Sequence, residues 1–293
     1  MKRATILILL SCMALSCVKA DKTISITVRA GEYDRTDCVV SADIFKLDMG
    51  ESMDVVLYEQ TGKGKKRVAS QVVAEKGKTP LLYWILDGET KAGTTRTYHA
   101  GLTPRQAPGA TPMDIEDTQK ALILKKEGKQ ILQYNYTHVD PPDGVDKAYG
   151  RSGFIHPAYS PAGNILTTIQ PKDHYHHYGI WNTWTHVVYD EVLYDLWNIG
   201  GKQGTVRAKA IEETCKGAVL TGYTASLDHY IFTPSEEKVI INELWKIKAW
   251  NIPAGGFLWD FESLLHPSAP LPVLLQQYRY AGFGYRATEE WTK

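Results

Sequence analysis

Ile24-Ser25-Ile26-Thr27-Val28, near the start of the chain, alternates apolar and polar residues with a period of two. This period is typical of a β-strand that buries one face. Similar short segments follow along the chain, among them 165–170, 239–248 and 257–265, and turn clusters such as Thr61-Gly62-Lys63-Gly64 separate such segments. No long helical pattern and no fixed-period repeat interrupts them. The sequence therefore predicts an all-β fold.

The strand-like segments fall into two regions, which predict two domains. Residues 21–103 predict a small antiparallel sandwich. Residues 104–118 contain three prolines and few bulky apolar side chains, so they predict a linker. Residues 119–293 predict a larger β-sandwich. Within it, residues 182–198 stay ambiguous, because their apolar positions also fit part of a helical stripe.

The first 20 residues have the composition of an export signal. Lys2 and Arg3 precede an apolar run over 6–15, which is shorter than the roughly 20 residues that a membrane span needs. Ala14-Leu15-Ser16-Cys17 resembles a bacterial lipobox, and Val18-Lys19-Ala20 fits an ordinary signal-peptidase site. Both interpretations predict export, either to the periplasm or as an outer-membrane-anchored lipoprotein. Membrane attachment is then expected only through a lipid on Cys17.

Composition excludes several classes of function. The 33 Lys and Arg residues balance 33 Asp and Glu residues, so no bulk field steers nucleic acid to the chain. No phosphate loop, dinucleotide fingerprint, nucleophile elbow or Cys-Cys zinc motif is present. Eight Trp and 17 Tyr fit either ordinary packing or platforms for sugar rings. We therefore expect a sugar or oligosaccharide partner and no nucleic-acid partner.

Asp173-His174-Tyr175-His176-His177 concentrates three of the nine histidines in four positions. Histidine exchanges protons near neutrality and is also the commonest metal ligand. In an extended segment, His174 and His176 would share one face, while Asp173 and His177 would share the other. The pattern therefore predicts an acid/base site, a metal site, or a hydrogen-bonded stack of imidazoles in a groove.

The acid/base interpretation needs a carboxylate from Asp173 or Asp260 to orient one imidazole. The metal interpretation uses His174 and His176 as ligands of a divalent metal, the one cofactor that the sequence suggests. A third ligand would then come from elsewhere in the chain. The candidates for it are His156, Asp195, Asp260 and His266.

Other side chains are candidates for substrate binding. Arg151 would hold a carboxylate or sugar hydroxyls, or else form an internal ion pair. Tyr159 is a candidate for stacking or proton donation, and Asp260 and Glu262 share one face of a predicted strand. The predicted catalytic residues are His174, His176, His177, Asp173 and His156. The predicted substrate-binding residues are Arg151, Tyr159, Trp181, Trp184, Asp260, Glu262 and Arg286.

Four segments together resemble the PmoA-like family of exported bacterial proteins, which is frequent in Bacteroidetes. They are Arg151-Ser152-Gly153-Phe154-Ile155-His156-Pro157, Ser160-Pro161-Ala162-Gly163, Asp173-His174-Tyr175-His176-His177-Tyr178-Gly179-Ile180-Trp181 and Gly282-Phe283-Gly284-Tyr285-Arg286. The family is labelled "methane oxygenase PmoA", and the activity of its members is uncharacterised. The resemblance implies a β-sandwich over 119–293 and neighbours in polysaccharide-degradation gene sets. Relatives usually continue with further strands after the last segment, so we expect a C-terminally truncated sheet.

Three functional hypotheses follow. The leading hypothesis is an exported carbohydrate-active protein that performs acid/base catalysis on a sugar: hydrolysis, elimination or epimerisation. The first alternative is a metal-dependent enzyme or oxidoreductase that uses the pair formed by His174 and His176. The second alternative is a non-catalytic, glycan-binding surface lipoprotein.

Overall fold

A computed structural model of the chain describes residues 23–47, 49–50, 52–105, 109–253 and 255–292. The predicted signal peptide, with Cys17, lies outside these residues. The described chain is almost entirely β-structure in antiparallel sheets, so the predicted all-β fold is confirmed. No helix in this part of the chain is long and apolar enough to cross a membrane.

The first seven strands form a small sandwich. They are β1 (Ile24–Arg29), β2 (Arg35–Asp43), β3 (Met53–Thr61), β4 (Gly64–Val68), β5 (Ser70–Val73), β6 (Leu81–Thr90) and β7 (Thr95–Pro104). One sheet has the order β1-β7-β3-β4 and the other the order β2-β6-β5. Trp84 and Tyr98 meet between the sheets with ring centroids 5.2 Å apart, and both are fully buried. The core of this sandwich therefore lies where the two apolar faces meet.

The remaining strands form a larger unit. They are β8 (Met113–Asp117), β9 (Ala121–Lys126), β10 (Lys129–Asn135), β11 (Phe154–Ala158), β12 (Ile180–Trp184), β13 (Val187–Tyr189), β14 (Val192–Tyr194), β15 (Gly204–Cys215), β16 (Leu220–Phe232), β17 (Glu237–Trp250), β18 (Leu258–Pro267), β19 (Leu274–Leu275) and β20 (Ala281–Tyr285). A six-stranded sheet has the order β20-β12-β11-β10-β9-β8, and a four-stranded sheet the order β15-β16-β17-β18. A small third sheet has the order β14-β13-β19. Short 3-10 helices cover Lys147–Tyr149, Ile199–Gly201 and Glu289–Thr292.

Aromatic side chains fill the space between the six-stranded and four-stranded sheets. Tyr134 of β10 stacks on Tyr223 of β16 with ring centroids 4.7 Å apart, and it lies 5.7 Å from the ring of Trp245. All three rings are buried. Burial of each such side chain contributes roughly 2–3 kcal/mol to folding. These contacts make the two larger sheets one sandwich with a shared core.

A buried carboxylate on β17 ties these two sheets together. Oε1 of Glu243 accepts hydrogen bonds from Asn182 on β12 (2.5 Å) and from Ser263 on β18 (2.5 Å). Oε2 lies 2.8 Å from Nε2 of His229 on β16. Burial alone would raise the pKa of Glu243, but the bonds from His229, Ser263 and Asn182 hold it below its ordinary value. Glu243 is therefore a carboxylate that joins the six-stranded sheet to three strands of the other sheet.

A second set of polar contacts joins the small sandwich to the outer face of the four-stranded sheet. Glu75 accepts hydrogen bonds from Lys246 (2.9 Å) and Lys248 (2.8 Å). Oε1 of Gln71 accepts from the backbone N–H groups of Val219 and Leu220, each at 3.0 Å. These contacts fix the small sandwich against β16 and β17.

Three segments differ from the sequence expectation. Residues 113–117, assigned above to the linker, form β8 and pair with β9. Residues 165–170, which the sequence predicted as a strand, make only isolated β-bridges. In the ambiguous stretch 182–198, β13 and β14 form a hairpin whose turn residues, Asp190 and Glu191, have positive φ angles of 51° and 62°. A two-residue turn with both φ angles positive is typical of a tight β-hairpin. The stretch is therefore a hairpin here and not the helix that its apolar positions also fitted.

Replacement of the buried carboxylate should destabilise the chain strongly. We expect Glu243→Ala to lower the free energy of unfolding by about 3–5 kcal/mol, because it leaves His229 buried without its partner. Glu262→Ala, on the exposed face of β18, is the matched control and should change the free energy of unfolding by less than about 0.5 kcal/mol. Urea unfolding followed by tryptophan fluorescence measures both, and equal midpoints for the two variants would contradict this role of Glu243.

Candidate functional site

A compact loop before β12 gathers the three histidines; we call residues 170–177 the histidine loop. A bridge between Ile169 and Tyr178 closes its base. Within it, the N–H of His174 donates to the carbonyl of Pro171 (2.9 Å), and the N–H of His177 donates to the carbonyl of His174 (3.0 Å). These are two successive turns and not an extended strand, so the predicted division of the histidines between two faces is wrong.

The turns bring all three imidazoles into contact. His174 stacks on His177 with ring centroids 4.6 Å apart and an interplanar angle of 11°. His176 meets His177 edge-on at 4.5 Å and lies 5.5 Å from His174. The ring of His174 is exposed, while His176 and His177 are half-buried. The loop therefore presents one accessible imidazole on top of two less accessible ones.

An arginine and an aspartate hold the exposed imidazole. Nδ1 of His174 lies 2.7 Å from Oδ2 of Asp173. Nη2 of Arg286 donates to both oxygens of the same carboxylate, at 3.1 and 3.0 Å. Nη1 of Arg286 lies 3.4 Å from Nδ1 of His177. Arg286, predicted as a substrate-binding residue, therefore fixes the carboxylate that fixes His174.

Two glycines make this arrangement possible. Gly179 has a φ of 55°, and a Cβ there would strike the carbonyl oxygen of Ile155. Its own carbonyl accepts the N–H of Arg286 at 2.7 Å, which places that residue beside the histidine loop. Gly284 lies under Trp181, where a Cβ would collide with the indole ring. Larger residues at either position would displace the loop or the ring below it.

Buried indole rings form the floor of the site. Trp181 is only 1% exposed and lies between His177, 5.3 Å away, and Trp197, 4.9 Å away. Because the imidazoles cover it, Trp181 cannot be the exposed sugar platform that the sequence suggested. It supports the histidines from below.

The surroundings fix the charges of the loop. The hydrogen bond from His174, followed by the ion pair with Arg286, lowers the pKa of Asp173 to about 2. Burial, with smaller effects of the neighbouring imidazoles, lowers the pKa of His177 to about 3. Burial and the nearby His174 also lower the pKa of His176. At neutral pH the loop therefore holds one carboxylate and at least two neutral imidazoles.

Arg151 does not reach this surface. It is 1% exposed, and its guanidinium lies 5.6 Å from the ring centroid of Tyr178. Neither Nη atom has a hydrogen-bond partner among the described residues, so Arg151 makes no internal ion pair there. The burial of its side chain contradicts the predicted contact with a sugar at the surface. Burial lowers the pKa of Arg151 to about 10. The side chain therefore packs against Tyr178, the residue that follows the histidine loop.

Three further predicted residues lie beside the loop or inside the sandwich. His156 on β11 is hydrogen-bonded to Thr167 (3.0 Å), and burial lowers the pKa of its imidazole to about 4. Tyr159 is half-buried, and its backbone N–H donates to the carbonyl of Ile131 at 2.9 Å. Trp184 points into the sandwich, with its ring 5.9 Å from that of His229. None of these three is in ring contact with the loop histidines in the described chain.

Asp260 and Glu262 lie on another surface. They share a face of β18, as alternation predicted, but that face is the outside of the four-stranded sheet. Asp260 accepts a hydrogen bond from Nε1 of Trp250 (2.9 Å), and Glu262 stands opposite Lys246 in the register. The structure therefore does not bring these carboxylates to the histidines, because the inner positions of β18 hold Trp259, Phe261 and Ser263.

The metal interpretation gains no third ligand. In the residues that the structure describes, no three His, Cys, Asp or Glu side chains are placed to hold one metal ion. The carboxylate of Asp195, a suggested ligand, instead accepts the N–H groups of Trp197 (2.9 Å) and Asn198 (2.8 Å). A site on His174 and His176 therefore stays a prediction.

Sequence reasoning missed two features near the site. Trp197 lies in the stretch that was ambiguous between helix and strand, so its position beside Trp181 had no local signal. Glu243 did have a local signal, because it interrupts the inward-facing series of Ile241, Trp245 and Ile247 in a strongly alternating strand. A charged residue at such a position indicates a buried polar network.

Fold and site define the class of this protein: a two-sandwich all-β protein whose larger sandwich carries a histidine loop. Its family follows from residues 121–293, which match the sequence family described as "Family of unknown function (DUF6807)". Because the match spans more than half of the chain, the protein belongs to that family. The matched region contains the histidine loop and Arg286. A comparison with curated proteins gave no significant match.

The depressed pKa of His177 predicts a pH dependence of stability. Unfolded histidine binds a proton below a pH of about 6.5, whereas native His177 stays neutral until a pH of about 3. Native stability should therefore fall as pH drops from about 6.5 towards 3. In His177→Gln the free energy of unfolding should fall less steeply with decreasing pH, and the slope should be smaller by at most about 1.4 kcal/mol per pH unit. Urea unfolding at several pH values measures it, and identical slopes for both proteins would contradict the burial of a neutral imidazole.

Proposed function

We propose that this protein is an exported carbohydrate-active enzyme that transfers protons at a sugar carbon through the histidine loop. The observation that carries the proposal is the 2.7 Å contact between Nδ1 of His174 and Asp173, made by an imidazole that remains exposed. An orienting carboxylate on one ring nitrogen leaves the other nitrogen free to act as base or acid. The reaction is hydrolysis, elimination or epimerisation of an oligosaccharide or sugar derivative.

The hydrogen bond assigns the roles of the two nitrogens. Asp173 is a carboxylate, because its pKa lies at about 2, so Nδ1 of His174 carries the hydrogen. Nε2 then has the lone pair that accepts a substrate proton. Arg286 keeps the carboxylate in place by bonding both of its oxygens. His174 is the proposed catalytic base, while Asp173 and Arg286 are positioning residues.

The other two imidazoles support this role without competing for the proton. Their lowered pKa values keep His176 and His177 neutral, so a proton gained by His174 meets no cationic ring beside it. The stacked ring of His177 also limits the rotation of His174. A single site of protonation, held by packing on one side and by a carboxylate on the other, suits proton transfer at a defined point.

The sugar class and the compartment rest on the sequence. Resemblance to the PmoA-like proteins supports a carbohydrate role, and the aromatic surroundings of the loop suit a ring-shaped substrate with polar and apolar faces. The export signal over 1–20, with either soluble release or a lipid on Cys17, supports a site outside the cytoplasm.

Substitution within the Asp173–His174 pair tests the mechanism. His174→Gln and Asp173→Asn should each lower kcat at least about 100-fold with KM little changed, because the lost group acts in proton transfer. His138→Gln is the matched control, since His138 also lies beside an exposed aspartate, 3.7 Å from Asp140. Product formation from a panel of oligosaccharides, followed by mass spectrometry, measures these rates. Full activity in His174→Gln would contradict the proposal.

The same experiment separates the alternatives. Activity that is lost on chelation and restored by one added metal would favour the metal-dependent enzyme. Saturable binding without any new product from the wild-type protein would favour the non-catalytic glycan-binding protein. In either case the histidine loop would not act by metal-free proton transfer.

A further inference from the structure

A row of aromatic rings leads away from the histidine loop. Trp197 lies 6.3 Å from His177, and Tyr280 stacks on Trp197 with centroids 5.9 Å apart. Tyr278 follows 6.2 Å beyond Tyr280, and His186 stacks on Tyr278 at 4.1 Å. We call Trp197, Tyr280, Tyr278 and His186 the aromatic row. Successive ring contacts connect these four side chains to His177 of the site.

The outer part of this row is open to solvent. Tyr280 is 45% exposed and Tyr278 is 38% exposed. Neighbouring large aromatic side chains that stay exposed, connected by ring contacts to a polar site, suit a ligand that is apolar on one face and hydroxylated at its edges. Pyranose rings have this character, and the row offers more surface than one sugar ring covers.

One unpaired cation lies on the row. The guanidinium of Arg279 lies 4.9 Å from the ring centroid of Tyr280, and none of the ion pairs found among the described residues involves this arginine. Two carboxylates close in sequence to the histidine loop and to Trp197 already have partners. Asp173 is bonded to Arg286, and Asp195 accepts two backbone N–H groups. The guanidinium of Arg279 therefore stays available to an anion, and its fork matches the oxygens of a carboxylate or sulfate.

We propose that the aromatic row binds an acidic oligosaccharide, with Arg279 contacting a carboxylate or sulfate group of one of its sugars. This inference rests on the proposed function and names its substrate class. The chain of sugars lies along Tyr280 and Tyr278, and the sugar that reacts lies at His174. The row supplies binding energy away from the reacting carbon, which positions that carbon against the imidazole.

Calorimetric titration with defined oligosaccharides tests the row. The probes are the hexasaccharides of galacturonate and mannuronate, a sulfated carrageenan hexasaccharide, and the neutral cellohexaose and xylohexaose. At least one acidic probe should bind more tightly than both neutral ones, and its affinity should fall with added salt. The uronate and sulfate arms tell which acidic group Arg279 contacts.

Variants of the row locate the binding. Arg279→Gln should weaken the best acidic probe about tenfold, or about 1.4 kcal/mol, and leave neutral probes unchanged. Tyr280→Ala should weaken acidic and neutral probes alike. Tyr33→Ala is the matched control, because Tyr33 is another exposed tyrosine, 67% accessible, with Arg35 over its ring at 5.8 Å. A wild-type affinity in Tyr280→Ala, with its fold checked by urea unfolding, would overturn the proposal. Equal affinity for acidic and neutral probes would overturn it as well.

Failure of this inference differs visibly from failure of the proposed function. If His174→Gln keeps both turnover and binding of the acidic probe, the proton-transfer role fails and the row stands. If the wild-type protein turns over short sugars but binds no acidic hexasaccharide, the row fails and the proton-transfer role stands.

Discussion

The buried carboxylate of Glu243 sets the geometry on which the rest of the larger sandwich depends. It accepts hydrogen bonds from β12, β16 and β18 while lying on β17, so four strands of two sheets meet at one side chain. An ionised carboxylate in an apolar core is costly unless its oxygens are bonded. The three donors therefore have to stay at fixed positions, and this requirement sets how the two sheets lie against each other.

The same contact orients the candidate site. Asn182 reaches Glu243 inside the sandwich, and side chains alternate along β12. Its neighbour Trp181 therefore points to the opposite face, where it supports His177. The histidine loop enters β12 directly through Gly179, whose carbonyl also holds the backbone of Arg286. Core packing, strand alternation and one glycine together place the arginine, the aspartate and the exposed imidazole within bonding distance.

Much of the fold could be predicted from the sequence, because alternation along each strand is a local signal. The predicted strand 239–248 lies within β17, and all of the predicted strand 257–265 except its first residue lies within β18. The expectation that Asp260 and Glu262 share a face was also correct. Which side of the sandwich that face lies on depends on the packing of two sheets, and no local pattern encodes it. Those carboxylates consequently lie away from the histidines.

Part of the residue cluster could be predicted from the sequence, but its geometry could not. The sequence singled out Asp173, the three histidines and Arg286, and these residues do come together. Their arrangement escaped prediction because the loop is built from two turns closed by hydrogen bonds three residues apart, so the two-residue period does not apply to it. Trp181 was expected at the surface, but Gly284 allows β20 to pass directly beneath its ring, and the imidazoles cover the other side.

The most direct test of proton transfer at the histidine loop is a crystal structure of the protein with a bound oligosaccharide. If His174 is the base, a sugar should lie against it with a hydroxyl or ring carbon about 3 Å from Nε2, while Nδ1 stays bonded to Asp173. A sugar bound in the pocket lined by Glu75, Lys246 and Lys248, with no contact to the histidine loop, would contradict proton transfer at that loop.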